Sequence, residues 1–353
     1  MQYIEYEQVE IGGSLYNQAT EFLKNQPEHR ESFLGGHFIE TYQKCPWLFF
    51  LKYVLGFQSN GSKRYFIRGQ ALHSGIEYYL THFFSQEEIS ISQYIPLVYL
   101  ELYKDSYKED ETFYADRELV FRMMKDWLFE YIEMKPDSDN YKTVEVERQH
   151  IIPLSNGFPI TVRIDRLVRS KQTGRLIVID TKTTKNNPNQ TENSMKLGNQ
   201  GLSYLWAVEK VYNEKPAGVI VDILVGKQLK YEMKTDCYRS KLITFKRYDF
   251  IQWEMNLIGL LSELTQKVRT YYEGQLPPEF LFPRNPANCS FMGCPYADIC
   301  RQPHEPNQLP PGYERDEWID EGMLKEIATN RSTIEQMLYN MTIKKEVLDN
   351  ENK

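Results

Sequence analysis

Two short apolar runs of this chain each close on an acid. Residues 161–167 read T-V-R-I-D-R-L and residues 176–183 read L-I-V-I-D-T-K-T, which places Asp165 and Asp180 at the ends of β-branched stretches. A charge that terminates a buried strand is costly unless something pairs with it. If the two runs pair as a hairpin, the carboxylates meet at one rim of the sheet and repel each other unless a hard cation sits between them. Lys182 follows Asp180 by two residues, so strand alternation sends both side chains to one face. An ammonium there can orient an attacking water and offset phosphate charge, which suits metal-assisted hydrolysis. A D-x-K triplet alone is common; the apolar flanks give this one its weight.

Two further groups could join that site. His73 and Glu77 lie four residues apart in a stretch with helical spacing, so they share a face and can turn toward one ion. Taken alone they read more readily as a core histidine and a surface glutamate. Gln200 and Tyr204 repeat the four-residue spacing after the second acidic strand and could hydrogen-bond phosphate or base, although such a pair is ordinary on any helix. Of five cysteines, three crowd into Cys289, Cys294 and Cys300, and Cys45 is followed by proline as Cys294 is. That number is too small for a secreted disulfide scaffold, and the clustering reads as metal in a reducing compartment. Four thiolates would satisfy zinc, and buried free thiols are the plainer alternative. Cys237 stands apart as a bystander.

The elements that must carry these residues change along the chain. Segments 38–57, 66–84, 92–107 and 111–134 have the apolar spacing of helices, the last ending before Pro136. Three short β-branched runs follow at 143–152, 160–169 and 175–181, the last two joined by a turn at 170–174. A helix over 195–213, strands at 218–225 and 241–246, and a long helix over 248–272 complete a mixed α/β pattern. From 276 to 311 the chain is rich in Pro, Asn and Cys, irregular enough to need a metal to hold it. An acidic helical stretch over 316–347 closes the sequence. There is no phosphate-binding G-x-x-x-x-G-K-[ST] loop and no solenoid repeat.

The net charge of −7 is unevenly spread. Residues 305–353 hold eleven acids against six bases, whereas residues 161–185 hold seven bases against only Asp165 and Asp180. Phosphate contacts need only such a local field, though a solvated charged hairpin has the same composition. No apolar run reaches membrane-spanning length, and the first thirty residues lack a basic start with an apolar core, so a cytoplasmic protein without a membrane partner is expected.

Taken in order, the motifs resemble the RecB-like branch of the PD-(D/E)XK nucleases, the group that includes the RecB and AddB nuclease domains and CRISPR-associated and phage exonucleases with an iron-sulfur cluster. The likeness runs from Tyr42-Gln43-Lys44-Cys45-Pro46-Trp47 through Gly69-x-x-x-His73-x-x-x-Glu77, Asp165 in an I-D-R context, Asp180-Thr181-Lys182 and Gln200-x-x-x-Tyr204 to the cysteine cluster, about 260 residues in all. Val162 stands where the family usually has glycine, and Cys289 and Cys294 are two residues further apart than is usual.

The resemblance implies an α/β, restriction-endonuclease-like core, with a central mixed sheet flanked by helices. Its expected parts are a helical subdomain over 1–135 with Cys45 and His73, the nuclease core over 136–275, a cysteine-rich closure over 276–311 and the acidic tail over 312–353. It further implies Mg2+ or Mn2+ held by His73, Asp165, Asp180 and the carbonyl of Thr181, with Glu77 in the catalytic set and Lys182 assisting the water. Gln200, Tyr204 and Arg166 would position DNA, single-stranded or with a free end. Cys45, Cys289, Cys294 and Cys300 would hold a structural [4Fe-4S] cluster. The expected activity is exonucleolytic, in recombination, repair or phage DNA processing, beside a helicase or recombination partner. The rival expectations are a non-catalytic DNA-binding scaffold and a site-specific endonuclease.

Overall fold

A computed structural model describes residues 13–25, 35–59, 64–82, 86–107, 110–228, 232–289, 294–301 and 309–315. The acidic stretch expected over 316–347 lies outside them. Among the described residues the strands are β1 (Phe57–Ser59), β2 (Tyr141–Pro153), β3 (Pro159–Ser170), β4 (Leu176–Thr184), β5 (Gly218–Gln228), β6 (Met233–Arg239) and β7 (Tyr313–Arg315). The chain divides into two compact units that interleave along the sequence: 1–30, 62–149 and 163–246 form one, and 31–61, 150–162 and 247–353 form the other.

A five-stranded mixed sheet runs in the order β2-β3-β4-β5-β6, and the first unit holds all of it except residues 150–153 of β2 and 159–162 of β3. β3 and β4 pair antiparallel, β4 and β5 parallel, β5 and β6 antiparallel. A parallel neighbour demands a crossover. It is supplied by the helices Pro188–Leu197 and Asn199–Tyr212. β4 is buried on both faces from Leu176 to Thr181 and opens only at Lys182, and β5 is buried from Gly218 to Gly226. That explains their unbroken apolar runs.

The helices Arg64–His82, Gln86–Leu102 and Asp110–Leu128 build a core with Leu72, Ile76, Leu97, Phe113, Val120, Trp127 and Leu224. A Cβ on Gly75 would meet Pro96 and the Ser92 carbonyl at 2.9 Å. Glycine there lets the second helix seat closely against the first, two residues from His73.

In the second unit Phe38, Phe49, Phe50, Leu51, Phe57, Leu264, Phe282 and Ile299 share one core. It is lined by the helices Gly36–Lys44 and Arg247–Tyr272 and bordered by a β1–β7 ribbon.

Three expected elements differ. The helix expected over 38–57 is interrupted at Cys45, which is extended (φ −161°, ψ 107°) because Pro46 disfavours helical backbone in the residue before it. The chain then re-enters helix over Pro46–Phe49 and widens into a π turn over Phe50–Val54. The helix expected over 195–213 is two helices broken at Gly198. The strand expected at 241–246 is instead β6, at Met233–Arg239, and from 241–246 only Ile243 makes a bridge, to Val219. β6 is an edge strand whose open face carries Lys234, Asp236 and Tyr238, so it carries little apolar signal. No helix among the described residues is long and apolar enough to cross a membrane.

Candidate active site

The site is built where the β3–β4 ladder ends. The paired register runs from Arg169↔Leu176 to Arg166↔Ile179, and one further step in the same register sets Asp165 opposite Asp180. The Asp165 side chain takes over there, its Oδ2 accepting the Thr181 backbone N–H at 2.8 Å. The Thr181 carbonyl is turned to His73, whose Nε2 lies 3.1 Å away. His73 comes from the helix Arg64–His82, and its Nδ1 lies 2.8 Å from Oε1 of Glu147 and 3.7 Å from Oδ2 of Asp165. His73, Glu147 and Asp165 each offer a donor atom within 4.8 Å of the others, the spacing of a metal-binding group.

Asp180 stands beside this group and is not part of its tight spacing. Its side chain is fully buried, and Oδ1 accepts from Lys182 Nζ at 2.7 Å and from the Tyr204 hydroxyl at 3.0 Å. Tyr204 in turn accepts from Gln200 Nε2 at 2.6 Å. Oδ2 of Asp180 is buried without a hydrogen-bond partner, an arrangement that costs free energy unless a proton or a cation satisfies it.

The electrostatics agree with a site short of positive charge. Burial alone would favour a neutral His73, but the Asp165 charge and the Glu147 hydrogen bond push its pKa up to about 9. Burial raises Asp180, with the Asp165 charge adding to it and Lys182 opposing. Burial works against the Lys182 ammonium, but Asp180 and Asp165 hold its pKa above the ordinary lysine value. Burial and then Asp180 raise Tyr204 well above the usual phenol, so it stays a donor.

The donor set fits a divalent ion. Two ligand atoms at right angles on an ion at ~2.1 Å lie about 3 Å apart, which is the separation of His73 Nε2 from the Thr181 oxygen. One imidazole, one carbonyl and nearby carboxylates are the mixed nitrogen and oxygen set that magnesium or manganese accepts.

The remaining expected residues fall in different places. Glu77 lines the same small cavity as His73, Glu147 and Asp165. Arg166 is buried with its guanidinium 2.5 Å from Asp137 and 3.2 Å from Thr143, inside an ionic cluster that continues through Arg239 to Asp222. Its charge is committed there, and it is left out of the groups that could face DNA. In the second unit Cys45, Cys289, Cys294 and Cys300 line one cleft with Lys44, Trp47 and Tyr296. Burial raises the thiol pKa of Cys294 and Cys300, and each also feels the other three cysteines or two of them. Glu147 was not expected. Its only signal in the sequence was a pair of acids in V-E-V-E-R on an otherwise β-branched run.

A mixed sheet with two acids and a lysine where the β3–β4 pairing ends, faced by a helix-borne imidazole, is the design of restriction-endonuclease-like enzymes that hydrolyse phosphodiesters with a divalent metal. The chain belongs to the PD-(D/E)XK nuclease superfamily, which it matches over residues 38–301. Membership implies metal-dependent phosphodiester hydrolysis with DNA as the substrate. None of the curated proteins compared with the chain matched it.

Proposed function

We propose that this protein is a RecB-like exonuclease, cutting DNA from an end with Mg2+ or Mn2+ held by His73, Asp165, Asp180 and the Thr181 carbonyl. The observation that carries the reading is the meeting of His73 Nε2 with the Thr181 oxygen next to the buried Asp180–Lys182 pair. When bound, the ion would polarise the phosphoryl oxygen and lower the pKa of its water. The protein's own groups do the rest. Asp180 offers its unpaired Oδ2 to the ion, while Tyr204 and Lys182 fix its other oxygen. Lys182, one third exposed, reaches the attacking water and steadies charge on the phosphate. Gln200 and the buried Tyr204 act on the DNA path by holding Asp180 in place, and Glu77 lines the cavity beside His73.

We assign Cys45, Cys289, Cys294 and Cys300 to a structural [4Fe-4S] cluster. The four line one cleft of the second unit, and the resemblance of the cysteine motifs to the iron-sulfur branch favours the cluster over a tetrahedral zinc, which four thiolates would also satisfy. The motif resemblance supports a place in DNA recombination, repair or phage DNA processing, in the cytoplasm and beside a helicase.

Digestion of linear and closed circular DNA with added Mg2+ or Mn2+ tests the activity. Wild type should degrade linear DNA and spare circles, and Asp180→Ala and Lys182→Ala should each lose about 10²-fold or more in rate while staying folded. Cut circles would make it an endonuclease, and metal and DNA binding without cleavage would make it a scaffold. An oxygen-free preparation should carry iron and sulfide and absorb visible light; zinc alone would overturn the cluster.

A further inference from the structure

Glu147 combines three features that none of the motifs predicts. It has a left-handed backbone, φ 46°, in the middle of an edge strand. Non-glycine residues carry a cost of about 1–2 kcal/mol there and keep such a conformation only where their surroundings impose it. The burial pattern of β2 changes phase at the same place: residues 141, 143 and 145 are the more covered ones before it, and residues 150 and 152 after it. A strand whose inward face passes from odd to even numbers has absorbed one extra residue, as at a β-bulge.

The third feature is where the side chain ends up. Only 6% exposed, it places Oε1 2.8 Å from His73 Nδ1 and Oε2 3.3 Å from Arg163 Nε. The other ring nitrogen of His73 faces the Thr181 carbonyl. A carboxylate on one nitrogen and a metal position on the other is the pairing that fixes the tautomer and orientation of a ligating imidazole.

We propose that Glu147 is a positioning residue for the metal centre: the bulge in β2 aims its carboxylate at His73 Nδ1, which holds the proton there and leaves Nε2 as the ligand. The inference rests on the metal site proposed above. Oε1 is committed to the ring, while Oε2 is buried without a hydrogen bond and has the Arg163 guanidinium 3.3 Å away to offset its charge. The bulge is thus a functional device rather than an irregular strand.

The test uses the full chain with Glu147→Gln and Glu147→Asn. Glutamine keeps an acceptor of the same length for Nδ1–H, and asparagine tolerates left-handed backbone while falling short of the ring. Mn2+ affinity by calorimetry and imidazole ¹⁵N spectra of the Mg2+-loaded protein are the readouts. Glu147→Asn should weaken Mn2+ binding by about 10–100-fold and lose the protected Nδ1–H signal, with its circular dichroism unchanged. Glu147→Gln should retain that signal and lose less affinity. If Gln weakens binding as much as Asp165→Asn does, Glu147 is itself a ligand and the proposal fails. If neither variant changes affinity, the residue is structural and the proposal again fails. A wild type that binds no Mn2+ at all would sink the metal site first, independently of Glu147.

Discussion

Without a metal, a proton occupies much of the site. His73 keeps its ring proton up to about pH 9, because the Asp165 charge and the Glu147 hydrogen bond outweigh burial, and burial likewise favours a proton on Asp180. An incoming ion must displace the proton from Nε2, so its affinity depends on pH. Since the folded pKa of His73 lies above the ordinary 6.5, proton and ion compete throughout the range between the two. Apparent Mn2+ affinity should tighten by about tenfold per pH unit from pH 7 to pH 8.5, with about one proton released per ion. The metal-free protein should show the opposite sign: the stability from charged His73 is full below pH 6.5 and is lost as pH rises through about 9. Calorimetric titration in buffers of different ionisation heat, with melts in chelator, reads both, and a flat affinity would contradict the assignment of His73. Arg166 makes a different residue-scale case. Its partner Asp137 is 4% exposed and is also held by Arg239, so Arg166→Ala should cost about 1–3 kcal/mol of stability and leave the KM for DNA unchanged. A raised KM at unchanged stability would return Arg166 to the substrate.

At the scale of elements, the site depends on joints that sequence periodicity represents poorly. The helix bearing Gln200 and Tyr204 starts directly after Gly198, where a Cβ would come within 2.6 Å of the Ser194 carbonyl. That neighbour is backbone and cannot rotate away, so Gly198→Ala must shift the start of the helix and with it the Tyr204 hydroxyl on Asp180. The expected result is a loss of about 1–3 kcal/mol in urea unfolding, together with a fall in nuclease rate greater than the fall in folded fraction. Unchanged stability would mean that the joint relaxes at no cost. The acids and the lysine were legible as candidates because each acid follows an apolar, β-branched run on a buried strand, although β3 is buried again past Asp165 at 166–168. Glu147 was not, because a bulge is a fault in alternation, and one irregular residue within a partly exposed edge strand looks like ordinary surface. β6 was hidden for a related reason: its half-buried alternation with charged residues resembles a loop more closely than the apolar segment that follows it.

At the scale of the whole molecule, composition along the chain suggested successive blocks, whereas the compact units are assembled from alternating segments of it. Interleaving of this kind leaves no local trace, because it is set by which distant segments share a core. His73, Glu147, Asp165 and Asp180 belong to one unit, and all four clustered cysteines belong to the other. The second unit's core is rich in large aromatics, with Phe38, Phe49, Phe50 and Phe282 nearly fully buried, and the described residues around Cys294 and Cys300 join it through Tyr296 and Ile299 and the bond from the Tyr296 hydroxyl to the Phe57 carbonyl. A cluster bridging Cys45 to that segment would add a metal tie to those contacts, since metal-ligand free energy becomes folding free energy where the site is absent from the unfolded chain. Cys45→Ser should therefore lose the iron and raise hydrogen exchange first over 36–59, 247–272 and 278–289. Protection over 64–82 and 176–184, whose amides lie in the other unit, should persist at low denaturant, as expected for separate cooperative regions. Mn2+ affinity at His73 should be kept to within about threefold in the same variant, a shift of under 1 kcal/mol. Exchange rising equally in both units would show that they open as one, and a large loss of Mn2+ affinity would make the cysteine site part of the catalytic apparatus rather than a structural tie.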